Sequence, residues 1–127
     1  MKLNHLDLQV ADVPTATAFL VDHFDLRALT RPDSPAIAIL TDGEGFTLVL
    51  QRRREGDRFP EGFHIGFLVD DPAEVVARRA RLAAAGLDVS EVQRNARGTM
   101  CYCRGPSELL VEISCRAGVR ADVLGGA

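Results

Sequence analysis

A chain of 127 residues, 46% hydrophobic and 26% charged, has the makeup of an ordinary globular protein: one compact domain, or two small modules sharing a core. A net charge of −3 leaves no basic footprint for nucleic acid. No apolar run approaches a membrane span, and the start MKLNH has neither the charged nor the apolar region of a signal peptide. Three cysteines, Cys101, Cys103 and Cys115, are an odd number, so the expectation is a cytoplasmic protein with reduced thiols.

The first strand is expected over 3–10, where Leu6, Leu8 and Val10 alternate with His5, Asp7 and Gln9. That is the period-2 pattern of a strand with one face against a core, and His5 lies on the other face. Asp12 suits a helix N-cap, and Pro14 falls in the first turn, where its missing N–H costs nothing. Ala16, Phe19, Leu20 and Phe24 then recur at helical spacing, predicting a helix that ends near Asp25. Strands are predicted over 26–30 and 36–41, separated by the breaker run RPDSP. The turn Asp42–Gly43–Glu44–Gly45 leads into the strand FTLVLQ at 46–51. This half reads β-α-β-β-β.

Residues 53–61 form a linker whose arginines read as a solvated charged loop. The pattern then begins again. GFHIGFLVDD at 62–71 is a near copy of LNHLDLQVAD at 3–12. Setting His5 on His64 also sets Leu6 on Ile65, Leu8 on Phe67, Val10 on Val69 and Asp12 on Asp71, an offset of 59. A strand over 63–69 is followed by the cap pair Asp71–Pro72 and a helix through Ala85. Gly86 suits the position after its end. Strands fit 88–93, 99–104 and 109–114, and the turn Gly105–Pro106–Ser107–Glu108 mirrors the turn at 42–45. Turn on turn sets Phe46 on Leu109, Leu48 on Val111 and Val49 on Glu112, an offset of 63. Loops of unequal length account for the change of offset.

The predicted fold is α+β: two β-α-β-β-β modules, 1–52 and 62–115, joined by the linker 53–61 into one domain, 1–115, with a C-terminal tail, 116–127. The strands should form a curved eight-stranded sheet lining a cleft, each module having one helix-covered face and one open face. His5 and His64 lie on the open face. Glu112 points away from its neighbours Val111 and Ile113, towards that same side. A lone carboxylate in a strand is costly to bury unless it is paired or bound to a metal. Two imidazoles and one carboxylate are a ligand set for a divalent ion with open positions. Alternation directs Tyr102 to the cleft and Cys101 and Cys103 to the helix side. Cys-x-Cys on one strand face is poor zinc spacing, so the thiols read as small core residues.

This layout, with histidine in strands one and five and glutamate in strand eight, resembles the vicinal oxygen chelate superfamily. That group includes glyoxalase I, extradiol dioxygenases, fosfomycin-modifying enzymes and bleomycin-resistance proteins. The resemblance covers nearly the whole chain and implies metal ligands at positions 5, 49, 64 and 112. His5, His64 and Glu112 match. Val49 cannot bind a metal, which counts against a glyoxalase activity. The segment YCRGPSELLVE resembles the closing motif of extradiol dioxygenases, with a metal-binding glutamate ten residues after a tyrosine; fosfomycin-modifying enzymes have a similar tyrosine. The histidine expected some eight residues before that tyrosine is missing from QRNARG, and so are the Lys and Ser positions of the fosfomycin enzymes.

The resemblance implies a metal-dependent small-molecule enzyme, dioxygenase-like or another lyase, isomerase or transferase. A divalent ion (Fe, Mn, Zn or Ni) on His5, His64 and Glu112 would chelate an oxygen-bearing substrate, with Tyr102 as catalytic hydrogen-bond donor. Asp7, Val49 and Gln51 are candidate substrate contacts. The alternative is a metal-free protein that sequesters a small molecule such as an antibiotic, as bleomycin-resistance proteins do. A homodimer is expected, with the cleft formed within one chain or completed by the partner's module.

Overall fold

The structure, a computed structural model, describes residues 1–116; of the expected tail, 117–127 lie outside the described residues. The chain forms two compact units. One is Met1–Phe59 with Pro106–Glu108, and the other is Pro60–Gly105 with the chain from Leu109 onward.

The first unit contains β1 (His5–Val10), α1 (Val13–Phe24), β2 (Arg27–Ala28), β3 (Ile37–Thr41) and β4 (Thr47–Arg52). The sheet order is β1-β4-β3-β2, with β1 parallel to β4 and the other pairs antiparallel. Asp12 caps α1, its carboxylate accepting from the Thr15 N–H and hydroxyl, and Asp25 ends it in the left-handed region at φ 60°. The helix buries Val13, Ala16, Thr17, Phe19, Leu20 and Phe24, and contacts β3 and β4, whose Ala38, Leu40, Leu48 and Leu50 are also buried. In the β3–β4 turn the Asp42 carboxylate accepts from the Glu44 and Phe46 N–H groups. Those two donors hold it below the usual carboxylate range. The turn Pro106–Glu108 also belongs to this unit: the Ser107 hydroxyl accepts from the Ala11 N–H at 2.8 Å, and Arg53 donates to the Ser107 carbonyl.

The second unit contains β5 (His64–Leu68), α2 (Pro72–Ala84), β6 (Asp88–Val89), β7 (Gln93–Asn95), β8 (Gly98–Arg104) and β9 (Leu110–Cys115). Its order is β5-β9-β8-β6, with β7 also paired to β8. Asp71 caps α2 through the Ala73 N–H, Pro72 opens it, and Gly86 follows its C-cap at φ 81°. Val75 and Leu82 of α2 are buried, as are Cys101, Cys103, Val111 and Ile113 of the sheet.

The repeat is thus confirmed as two β-α-β-β-β patterns in an α+β fold, and the strand registers preserve it. His5 pairs with Thr47 and Asp7 with Val49; His64 pairs with Leu110 and Gly66 with Glu112. Both offsets, 59 and 63, are present in that ladder. Two details differ from expectation. The strands form two sheets, one in each unit, and number nine among the described residues because the strand predicted over 88–93 is broken at Ser90. The Ser90 hydroxyl, rather than a strand carbonyl, accepts from the Tyr102 N–H at 3.0 Å, and the Ser90 carbonyl accepts from Arg79. Leu6, expected in the core row, is 37% exposed: β1 is an edge strand, and α1 lies against β3 and β4.

Candidate functional site

The second unit brings together three of the expected residues, His64, Tyr102 and Glu112. The strand of Glu112, β9, runs between β5 and β8, so Glu112 has Gly66 beside it on one flank and Tyr102 on the other. Glycine there leaves the space next to the carboxylate clear of a side chain. His64, two residues before Gly66 and on the same face, brings Nε2 to 3.5 Å from Glu112 Oε2. The Tyr102 ring meets the imidazole edge-on, 6.1 Å between centroids. Cys101 and Cys103 point the other way and are fully buried, as alternation requires. All three cysteines are buried free thiols.

The tautomer of His64 follows from its other nitrogen. Nδ1 stands 2.9 Å from the Gly62 carbonyl oxygen, which can only accept, so Nδ1 carries a hydrogen, and in the neutral ring Nε2 keeps its lone pair. His5 repeats the device, with Nδ1 2.9 Å from Asn4 Oδ1. A histidine held in this way is oriented to offer Nε2 to a metal. A neutral Nε2 facing a carboxylate is two acceptors with nothing between them; a cation or an added proton resolves the contact. The 3.5 Å gap matches two donors around one ion at about 2.0–2.2 Å each. These two donors thus have the spacing of neighbouring ligands on one divalent ion.

Tyr102 complements this charge. Burial, and then the hydrogen bond and negative charge of Glu112, push its phenol above the ordinary tyrosine range, with Arg97 opposing. At neutral pH it is a proton-bearing donor. An open pocket of about 320 Å³ lies against these groups, lined among others by His64, Met100, Glu112, Ser114, Arg97 and Arg116. The two arginines were not foreseen. Arg116 continues the alternation of Glu112 and Ser114 past the strand end, a signal present in the sequence; nothing in the pattern marks Arg97.

In the first unit, His5, Asp7, Val49 and Gln51 share the face opposite the buried Leu8, Leu48 and Leu50. The Gln51 amide donates to the Asp7 carboxylate. Asp7 stands beside Val49 as Gly66 stands beside Glu112, so the acid lies on the first strand here and on the last strand there. Ile39, paired with Val49, occupies the place of Tyr102. Among the described residues, no three His, Cys, Asp or Glu side chains cluster as a metal site. A set made of His5, His64 and Glu112 draws on both units.

Residues 2–113 match the family described as the Glyoxalase/Bleomycin resistance protein/Dioxygenase superfamily. The chain belongs to this superfamily. Among solved structures it is similar to a possible glyoxalase from Bacillus cereus, at 32% identity and TM-score 0.80, covering 91% of this chain and 99% of that one. Two further solved structures share the fold. One is lactoylglutathione lyase from Agrobacterium tumefaciens (23% identity, TM-score 0.72, 90% and 92% covered). The other is the fosfomycin resistance protein FosX from Listeria monocytogenes (20% identity, TM-score 0.74, 91% and 93% covered). No curated protein matches the chain. Among the described residues no helix is long and apolar enough to cross a membrane.

Proposed function

We propose that this chain is a metal-dependent, small-molecule enzyme of the glyoxalase/extradiol dioxygenase-like type, cytoplasmic and homodimeric, with His5, His64 and Glu112 as ligands to a divalent Fe, Mn, Zn or Ni ion. The observation that carries the reading is the contact between His64 Nε2 and Glu112 Oε2 at 3.5 Å, with the opposite ring nitrogen tied to the Gly62 carbonyl. When bound, the ion supplies Lewis acidity toward a substrate that reaches it through oxygen atoms.

The chain's own groups do the rest. The Nδ1 bonds of His5 and His64 fix both rings with Nε2 presented. Tyr102, held protonated by burial and by Glu112, donates a hydrogen bond to a substrate oxygen. Asp7, oriented by Gln51, accepts from a substrate hydroxyl, and Val49 supplies an apolar wall. The lyase activity named for one structural relative is not carried over, because Val49 stands where the first module of a four-ligand site would place its carboxylate, and the fosfomycin activity is not, because the Lys and Ser positions of those enzymes are missing here.

The test is the metal content of protein purified without chelators or a metal-affinity tag, beside His64→Ala. Near-stoichiometric Fe, Mn, Zn or Ni in the wild type, lost in the variant, is the expected result. No metal after incubation with each of these ions would overturn the reading and leave a metal-free sequestering protein in its place.

A further inference from the structure

The β7–β8 hairpin turns at Ala96 and Arg97, between the paired residues Asn95 and Gly98. The Asn95 carboxamide oxygen accepts from the Arg97 N–H at 2.8 Å, which closes the turn. Gly98 has φ 124°, and a Cβ there would overlap the Cys115 carbonyl oxygen and come within 3.2 Å of Arg116 Cα. Only glycine lets the hairpin press onto the end of β9 in this way. The close approach sets Arg97 next to Arg116, and both line the pocket that holds His64, Glu112 and Ser114.

Five arginines have carboxylate partners (Arg31 with Asp33, Arg54 with Asp57, Arg58 with Glu108, Arg78 with Glu74 and Arg79 with Glu91), whereas others, Arg27, Arg52, Arg53, Arg81 and Arg94 among them, have no such pair among the described residues. Among the described residues, neither Arg97 nor Arg116 has an ion pair. Two guanidinium groups without an ion pair line one pocket whose carboxylate, Glu112, is paired with His64, and together they add positive field at its rim where a small anion would enter. A guanidinium offers parallel N–H groups that match a carboxylate or a phosph(on)ate.

We propose that Arg97 and Arg116 form an oxyanion subsite, which takes a carboxylate, phosphonate or phosphate group of a substrate whose other end carries the oxygens directed toward His64 and Glu112. This rests on the metal-site reading above and adds the substrate class: a small molecule with an anionic group remote from its chelating oxygens. A pocket of about 320 Å³ is of a size to hold such a molecule.

The test titrates the full chain, as purified, with methylphosphonate and separately with acetate, following the amide resonances of Gly98, Ser114 and Arg116. Saturable shifts at these three positions are expected with at least one probe, and which probe binds more tightly distinguishes a phosph(on)ate from a carboxylate substrate. The double variant Arg97→Gln/Arg116→Gln should weaken that binding at least tenfold. Arg97→Lys/Arg116→Lys, which keeps the charge and loses the fork, should fall between. Equal binding by wild type and the glutamine variant, or shifts confined to other positions, would overturn the proposal. Metal content measured on the same variants separates the two readings: a failed subsite with metal retained condemns only the arginines, whereas absent metal in the wild type condemns the metal centre.

Discussion

Two glycines on opposite flanks of the second unit's sheet illustrate how much a missing Cβ can mean. At Gly66 a Cβ would stand 3.9 Å from the Glu112 Cβ, ordinary van der Waals contact in an ordinary strand conformation. At Gly98 the same atom would overlap a backbone oxygen, and φ is in a region that side chains avoid. Gly66→Ala should therefore leave stability within about 1 kcal/mol of wild type, whereas Gly98→Ala should lower it by about 3 kcal/mol. Urea unfolding midpoints of the two variants check the contrast; equal losses would show that β9 yields to the hairpin. The sequence marks neither position, since the demand comes from Cys115 and Arg116 reaching the hairpin through the fold.

At the scale of the element, β8 stands out because three consecutive acids on it are harder to ionise than usual. Burial raises the Cys101 thiol and lifts Cys103 to about 11, and Tyr102 between them is raised as well. Each group binds its proton more tightly folded than unfolded, so above pH 9, near the unfolded thiol value, the folded chain holds more protons. Stability should be fully present below that pH and fall as pH rises from 9 through 11. Cys103→Ala should be less stable throughout, yet show a slope shallower by about 1 kcal/mol per pH unit across that range. Denaturant unfolding at a series of pH values reads this directly, and an unchanged slope would place the titrating group elsewhere. Alternation along β8 was readable beforehand, since Cys101 and Cys103 share a parity and Tyr102 the opposite one. The caps Asp12 and Asp71 were readable for the same reason: a local side chain meets a local backbone donor. Ser90 was not, because its hydroxyl replaces a ladder carbonyl only once Tyr102 is brought alongside, and Leu6 looked buried because alternation gives the face of a residue and not its cover.

For the molecule as a whole, the two units divide the proposed ligands unequally: His5 in one, His64 and Glu112 in the other. A complete set must therefore join a first unit to a second, from the same chain or from a partner. Mixed dimers of His5→Ala and His64→Ala chains separate these cases. If sites are completed across the dimer, one of the two sites in each mixed pair has all three ligands, and about half the wild-type metal is expected; if each chain completes its own, none is. We expect the half-loaded outcome, measured on mixed dimers isolated by two different affinity tags. The duplicated order of strands, and the pairing of Val49 with Glu112 across the repeat, were legible from residue spacing alone. Which unit meets which was not, since spacing within a chain carries no information about a second one.

The registers of the two units have a consequence for ancestry. Positions 7 and 66 are one place in a duplicated module, as are 49 and 112 and also 39 and 102. A sequence holding every such place twice can let one copy drift while the other is kept by selection. Here the second copy has its acid on the last strand beside a glycine, and the first has a valine there and an acid on its first strand. On the proposed assignment, a change at 112 would end metal binding, while a change at 49, 7 or 39 would alter only which molecules are accepted. The first unit, His5 apart, is thereby free to explore new substrates without relinquishing the ion.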